Sequence, residues 1–260
     1  MVTYITSKDN PVFWDCRKLL HKKHRQKEKR FLTEGDNLCA EAVRSDMAQD
    51  LIFCEGTRYA KHAEDWNFKA SYIFSRELFQ QISDTETSMG VLAVVRQKEI
   101  SQEEMERLES SDGNIVILDQ LQDPGNIGTI IRTAEGAGYE AVVCVKGTAD
   151  IYAPKTVRAA AGSILRLPLL FEDSADSAAE LAHRLGKKIA VTDVHGEFPY
   201  YEAGLSEKTA LVIGNEGNGV EQKFLDAADV RVTIPMRGGL ESLNASIAAA
   251  ILMYEAVRGK

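Results

Sequence analysis

From residue 114 onward the chain alternates short apolar runs with helical patterns, and this alternation restricts its possible folds more than any other feature. NIVILDQ, EAVVCVKG, ILRLPLLF, KIAVTDV, TALVIGNEG and VRVTIPM read as strands. Between them lie helical stretches: Ile127–Gly138, TVRAAAGSI, SADSAAELAHRLG, VEQKFLDAA and Asn244–Arg258. Strands that are apolar at nearly every position have no face to give to water. They need helices on both sides, and strands joined through helices run parallel. The expected fold is α/β, with a mostly parallel sheet covered on both faces.

The first third reads as a smaller α/β domain. Phe13, Cys16, Leu19 and Leu20 recur at helical spacing. The strands FLTEG, DLIFCEG, ASYIFS and VLAVVRQ follow, interleaved with the helices DNLCAEAVRS and RELFQQIS. The charged stretch KEISQEEMERLESSDGN reads as a linker, part of it helical. We therefore divide the chain into 1–105 and 106–260. At 260 residues, both parts are long enough to bury a core.

Charge separates the same regions. The chain carries a net −8, yet its first thirty residues hold nine Lys and Arg against three Asp and Glu. A basic front end on an acidic protein suits either nucleic-acid binding or a plain solvated helix face. His21 and His24 lie among these cations, which repel a metal ion, and no metal site is expected. The four cysteines are scattered, as reduced buried thiols of a cytoplasmic protein would be. No secretory leader is read at the front. The least polar stretch, Ser246 to Val257, is too short for a bilayer and carries Glu255.

Three loops carry the chemistry. In DPGNIGTIIRTAEGAG, Asn126 is placed as a helix N-cap, and Ile127, Ile130, Ile131, Ala134 and Ala137 form one apolar face. Arg132 projects off that face, either to solvent or to an anion. Neither G-x-G-x-x-G nor G-x-x-x-x-G-K-[ST] occurs here, which excludes the common phosphate cradles and a dinucleotide-dependent oxidoreductase. In LVIGNEGNGVE, Gly214, Gly217 and Gly219 permit a tight turn, and Glu216 is either a solvated turn residue or a hydrogen-bond acceptor. In TIPMRGGLESLNASIAAAILMYEA, either Ser242 or Asn244 is suited to cap the closing helix.

Taken together, N-x-G-x-x-x-R (Asn126, Gly128, Arg132), G-N-E-G-x-G (Gly214 to Gly219) and I-P-M-x-G-x-x-x-S-L-N-x-S (Ile234 to Ser246) resemble the three motifs of the SpoU/TrmH-type RNA ribose 2′-O-methyltransferases of the SPOUT class. YAPKTVRAAAGSILRLP, NPVFWDCRKLLHKKHRQKEKRFLTEG and SDTETSMGVLAVV are also similar to segments of that family, so the resemblance spans nearly the whole chain. Met89 departs from it, since relatives carry Pro-Gln before the glycine.

The resemblance implies a deep trefoil knot in the C-terminal sheet and S-adenosylmethionine as cofactor. The implied cofactor contacts are Gly214, Ile234, Leu243, Met236 and Thr192. It implies a catalytic set of Arg132, Asn126, Glu216, Ser242 and Asn244, and no metal. RNA contacts are expected from Lys155 and Arg158 and from the basic front residues Arg17, Lys18, Lys22, Lys23 and Arg25. A homodimer through the knot domain is implied, with Ile247, Ala250, Ile251 and Tyr254 on a face suited to core or dimer packing. Ribosomal RNA of the 23S type is the favoured substrate. A tRNA 2′-O-methyltransferase and a catalytically silent RNA-binding protein of the same fold are the alternatives.

Overall fold

A computed structural model describes residues 2–259 and divides into two compact units. One contains the chain up to Lys98 together with Tyr152–Leu165; the other contains Glu99–Ile151 and the chain from Arg166 onward.

The first unit is built from β1 (Thr3–Ile5), α1 (Pro11–Lys18), α2 (Lys22–Glu28), β2 (Arg30–Glu34), α3 (Asp36–Arg44), β3 (Ala48–Cys54), α4 (Arg58–Lys61), β4 (Ser71–Phe74), α5 (Arg76–Gln80) and β5 (Val91–Arg96). Its five-stranded sheet runs β1-β4-β3-β5-β2. β1, β4 and β3 are mutually parallel, while β5 is antiparallel to both β3 and β2. Phe13, Cys16 and Leu19 pack with Ile52, Phe74, Phe79 and Val94 in its core. β1 has no signal in the sequence, because only Ile5 of its three residues is buried.

The chain continues with α6 (Gln102–Ser110), β6 (Ile115–Leu118), α7 (Pro124–Gly136), β7 (Ala141–Val145), α8 (Pro154–Ala160), α9 (Ser163–Arg166), β8 (Leu169–Glu172) and α10 (Ala175–Arg184). It ends with β9 (Lys188–Thr192), β10 (Phe198–Pro199), β11 (Thr209–Ile213), α11 (Gln222–Asp226), β12 (Val230–Thr233) and α12 (Ala245–Ala256). Seven strands form one sheet in the order β10-β12-β9-β11-β6-β7-β8. Every pairing in it is parallel, as the unbroken apolar runs predict. β6, β7 and β11 are buried along their whole length.

The stretch read as a partly helical linker contains α6, opened by a capping box between Ser101 and Glu104 and anchored by buried Leu108. Local expectations changed in two places. ILR, expected to begin a strand, is the helical turn α9. Ala161 and Gly162 take positive φ (47° and 89°), break the helix there, and the strand begins only after Pro168. Asn126 is not the N-cap of α7. Asp123 fills that position, accepting from the Asn126 amide at 2.9 Å, and Pro124 supplies the first turn. This places Asn126 inside the helix, nearly buried, with its side chain available for other partners.

The four cysteines are buried and free. Among the described residues, no helix is long and apolar enough to cross a membrane.

Candidate active site

Ligands of open parallel sheets gather at the carboxyl ends of the strands. Thr192 ends β9, Gly214 follows β11 and Ile234 follows β12, and these three strands are neighbours in the sheet. The loop after β11 doubles back closely. Asn215 and Gly219 exchange backbone hydrogen bonds at 2.8 and 2.9 Å. A Cβ on Gly214 would stand 2.4 Å from the Gly219 carbonyl carbon, so only glycine fits there.

Glu216, at the tip of that loop, reaches the start of α7. Its Oε2 accepts from the Gln122 amide at 3.1 Å, and its Oε1 accepts from the Asp123 amide at 3.2 Å and from Asn126 Nδ2 at 3.1 Å. Burial pushes the Glu216 carboxyl up. The hydrogen bonds from Gln122, from Asn126 and from the backbone amides outweigh it and leave the group below its ordinary value. Asn126 passes the connection on, since its Oδ1 accepts from Asn244 Nδ2 at 2.9 Å. Asn244 in turn caps α12, its Oδ1 accepting from the amides of Ser246 and Ile247. One polar chain, Glu216–Asn126–Asn244, thereby joins all three motifs.

A second clasp lies beneath it, among residues that the motif reading did not single out. Asp119 is 1% exposed, and its Oδ2 accepts from the Glu221 amide at 2.7 Å. Its other oxygen is buried without a hydrogen-bond partner. Burial raises this carboxyl above its usual value; the Glu221 amide partly offsets that, and the Glu221 charge adds to it. Gln120 donates to Glu221 Oε2 at 2.9 Å, and its carbonyl accepts from Asn215 Nδ2 at 2.8 Å. The available signal was the polar run DQLQD immediately after an apolar strand.

The structure does not gather every expected residue. Arg132 is exposed on α7 and makes no hydrogen bond or ion pair among the described residues, so the polar chain ends without reaching it. Ser242 is exposed and caps nothing; Asn244 alone caps the helix. Thr192, Gly214, Ile234, Met236 and Leu243 are all half-buried. Among the described residues, the backbone of Pro235–Leu243 makes no hydrogen bond. A half-open loop with unspent main-chain donors and acceptors fits a ligand gripped by backbone groups, as the adenine of S-adenosylmethionine would be.

The cationic residues also differ. Lys18, Lys22 and Lys23 are exposed. Arg17 is half-buried over the Trp14 ring, and Arg158 pairs with Asp84 at 2.5 Å. Lys155 is exposed. Arg25, expected among the RNA contacts, is 4% exposed and donates to the Leu19 carbonyl at 2.7 Å. Its charge is spent holding the junction of α1 and α2, so it is not a surface cation. Among the described residues, no group of three or more His, Cys, Asp or Glu side chains is arranged to hold a metal.

An all-parallel α/β sheet with three motif loops at its strand ends defines a SPOUT-like methyltransferase domain. The SpoU rRNA Methylase family model matches residues 113–254, and the chain belongs to that family. The MRM3-like substrate binding domain matches residues 10–93. The 23S rRNA (guanosine(2553)-2'-O)-methyltransferase RlmP of Bacillus subtilis (strain 168) is 37% identical, over 96% of this chain and 97% of that protein. The AdoMet-bound rRNA methyltransferase from Sinorhizobium meliloti superposes with a TM-score of 0.87 at 27% identity, covering 99% of this chain and 98% of the other. The SpoU methyltransferase AviRb from Streptomyces viridochromogenes, in complex with AdoMet, gives a TM-score of 0.85 at 29% identity, covering 96% and 97%.

Proposed function

We propose that this protein transfers a methyl group from S-adenosylmethionine to a ribose 2′-hydroxyl of ribosomal RNA, of the 23S type. The observation that carries the reading is the Glu216–Asn126–Asn244 chain, which ties the three motifs into one site at the strand ends. Similarity to one 23S rRNA 2′-O-methyltransferase along nearly the full chain, and to a second over 55% of it, favours rRNA over tRNA.

S-adenosylmethionine supplies an electrophilic methyl on a sulfonium centre. Main-chain groups at Gly214, Ile234, Met236 and Leu243 would hold it, with Thr192 beside them. We assign Arg132 the catalytic role. Its guanidinium is a donor with no acceptor. It therefore serves as an anion holder, binding the phosphate next to the target ribose and stabilising charge that grows on the 2′-oxygen. The proton leaves to a phosphate oxygen or to water. Asn126, Glu216 and Asn244 keep the loops in register, and Ser242 is left free to meet the ribose. Holding the two reactants in line contributes much of the acceleration.

Residues 1–105 would bind the RNA, the knotted region 106–260 would perform the transfer, and the protein would work in the cytoplasm. Ile247 (52% exposed) and Tyr254 (55%) lie seven residues apart on α12, and Leu240 (68%) precedes that helix. A second copy covering this apolar face would make the working homodimer and would meet the exposed Arg132 helix, α7, which packs against α12.

The test is transfer of labelled methyl from S-adenosylmethionine into separate unmodified rRNA and tRNA, with Arg132→Ala alongside. Label in rRNA that falls at least about 100-fold in the variant is expected. Full activity in the variant would remove Arg132 from the mechanism; label in tRNA alone would overturn the substrate.

A further inference from the structure

α1 turns Phe13 and Cys16 inward, 0% and 1% exposed, yet presents Trp14 to solvent at 44%. A large aromatic side chain on an outer helix face gains little for folding, so its neighbours bear on its use. Arg17, one turn along, sets its guanidinium carbon 5.2 Å from the Trp14 ring centroid. Gln81 Oε1 accepts from Arg17 Nη1 at 3.4 Å and steadies the arginine in that position. The exposed indole therefore carries a positive charge against its ring.

The acids around it are mostly neutralised. Asp15 takes both Arg30 nitrogens, at 2.8 and 2.9 Å, and Glu77 pairs with Lys8 at 2.7 Å. Lys18, Lys22, Lys23 and Lys29 are exposed and make no ion pair among the described residues. An aromatic surface with Arg17 against its ring and Lys18 exposed one turn along the same helix matches the chemistry of an unpaired nucleotide: a flat base that stacks and a phosphate that needs positive charge. Inside a duplex both faces of each base are already stacked on neighbours, so such a surface favours single-stranded segments.

We propose that Trp14, braced by Arg17, is a stacking platform for an unpaired base of the RNA substrate. The inference rests on the RNA reading above and adds a site and a preference to it: single-stranded RNA, engaged through a base face.

The chain has two tryptophans, so the readout is intrinsic emission compared between wild type and Trp14→Phe, in which only Trp66 remains. The probes are a twelve-residue oligouridylate and a blunt RNA duplex of equal length, both at low salt. The expected result is saturable quenching by the single strand in wild type that shrinks in Trp14→Phe. Trp14→Leu, which keeps apolar bulk but not the stacking face, weakens oligouridylate binding by about 5-fold or more, while Trp14→Phe stays near wild type. Both variants are expected to keep the wild-type melting temperature and S-adenosylmethionine affinity. Equal binding by Trp14→Leu, or duplex binding at least as tight as single-strand binding, overturns the platform and leaves the methyltransferase reading intact. Wild-type protein that binds neither RNA overturns the platform, and the methyl-transfer assay above then decides the methyltransferase reading by itself.

Discussion

Asn244 donates its side-chain amide to Asn126 Oδ1 across 2.9 Å, while the other end of the same side chain caps α12. A single residue thereby fixes the start of the closing helix and the start of α7. Asn126 is buried, so removing Asn244 leaves its Oδ1 without this donor, which costs more than the net worth of the bond. The motif residues so joined act as a frame on which exposed Arg132 is carried.

That frame depends on close backbone approach at Gly214. Gly214→Ala would drive its methyl against the Gly219 carbonyl carbon and the Val220 nitrogen, at 2.4 and 2.5 Å. A peptide bond cannot yield as a side-chain tip would, so the loop must move. We expect S-adenosylmethionine affinity, read by calorimetry, to fall at least about 10-fold while the protein stays folded, since the cost is local strain of about 1–3 kcal/mol. Unchanged affinity would dissociate this loop from the cofactor site.

Glu216 accepts three hydrogen bonds from α7 and the residues before it, and its carboxyl is held below the ordinary value. A depressed carboxyl contributes stability that is complete above its unfolded-state value and is lost as pH falls through the folded-state value. Glu216→Gln turns one acceptor into a donor facing donors. Because the site is exposed, the loss should be modest, about 1 kcal/mol at neutral pH. Thermal melts should show the gap between wild type and variant closing as pH drops below the usual carboxylate range; a gap independent of pH would contradict the assignment.

Asp119 behaves in the opposite sense. Burial raises its folded-state value, so its contribution is complete below the unfolded-state value and is lost as pH rises through the raised one. Asp119→Asn cannot titrate. The melting temperature of Asp119→Asn minus that of wild type should therefore grow more positive as pH climbs from about 4 to about 8. A flat difference would mean that the buried carboxyl is not strained by its charge.

Arg25 and Lys23 stand two residues apart and should separate cleanly. Arg25→Ala leaves the Leu19 carbonyl without its donor and should lower stability by about 1–3 kcal/mol, read by denaturant titration. Lys23→Ala should leave stability within about 0.5 kcal/mol and instead reduce the salt dependence of RNA binding by about one unit of slope. Loss of RNA binding with unchanged stability in Arg25→Ala would reverse the assignment.

The parallel sheet was legible because β6 and β7 are apolar at every position and β11 at all but Thr209, a pattern that tolerates only one environment. The motif loops were legible from glycine and asparagine at fixed spacing. Their wiring was not. Glu216 and Asn126 are separated by 90 residues and Asn244 and Asn126 by 118, and periodicity carries no information over such distances. ILR was misread as a strand because a short apolar run suits a buried helical turn equally well. Asn126 is no cap because Asp123 and Pro124, three and two residues earlier, already begin the helix.

The first unit has a break in its chain: α8 lies on β2, Tyr152 meets Phe31 with ring centroids 4.9 Å apart, and Arg158 pairs with Asp84. Its last pieces are therefore synthesised only after β6, α7 and β7 have been made. On the ribosome the front sheet waits, its β2 side uncovered, until residues beyond 150 emerge. A single crossover near residue 98 would carry the five strands away and leave α8 behind.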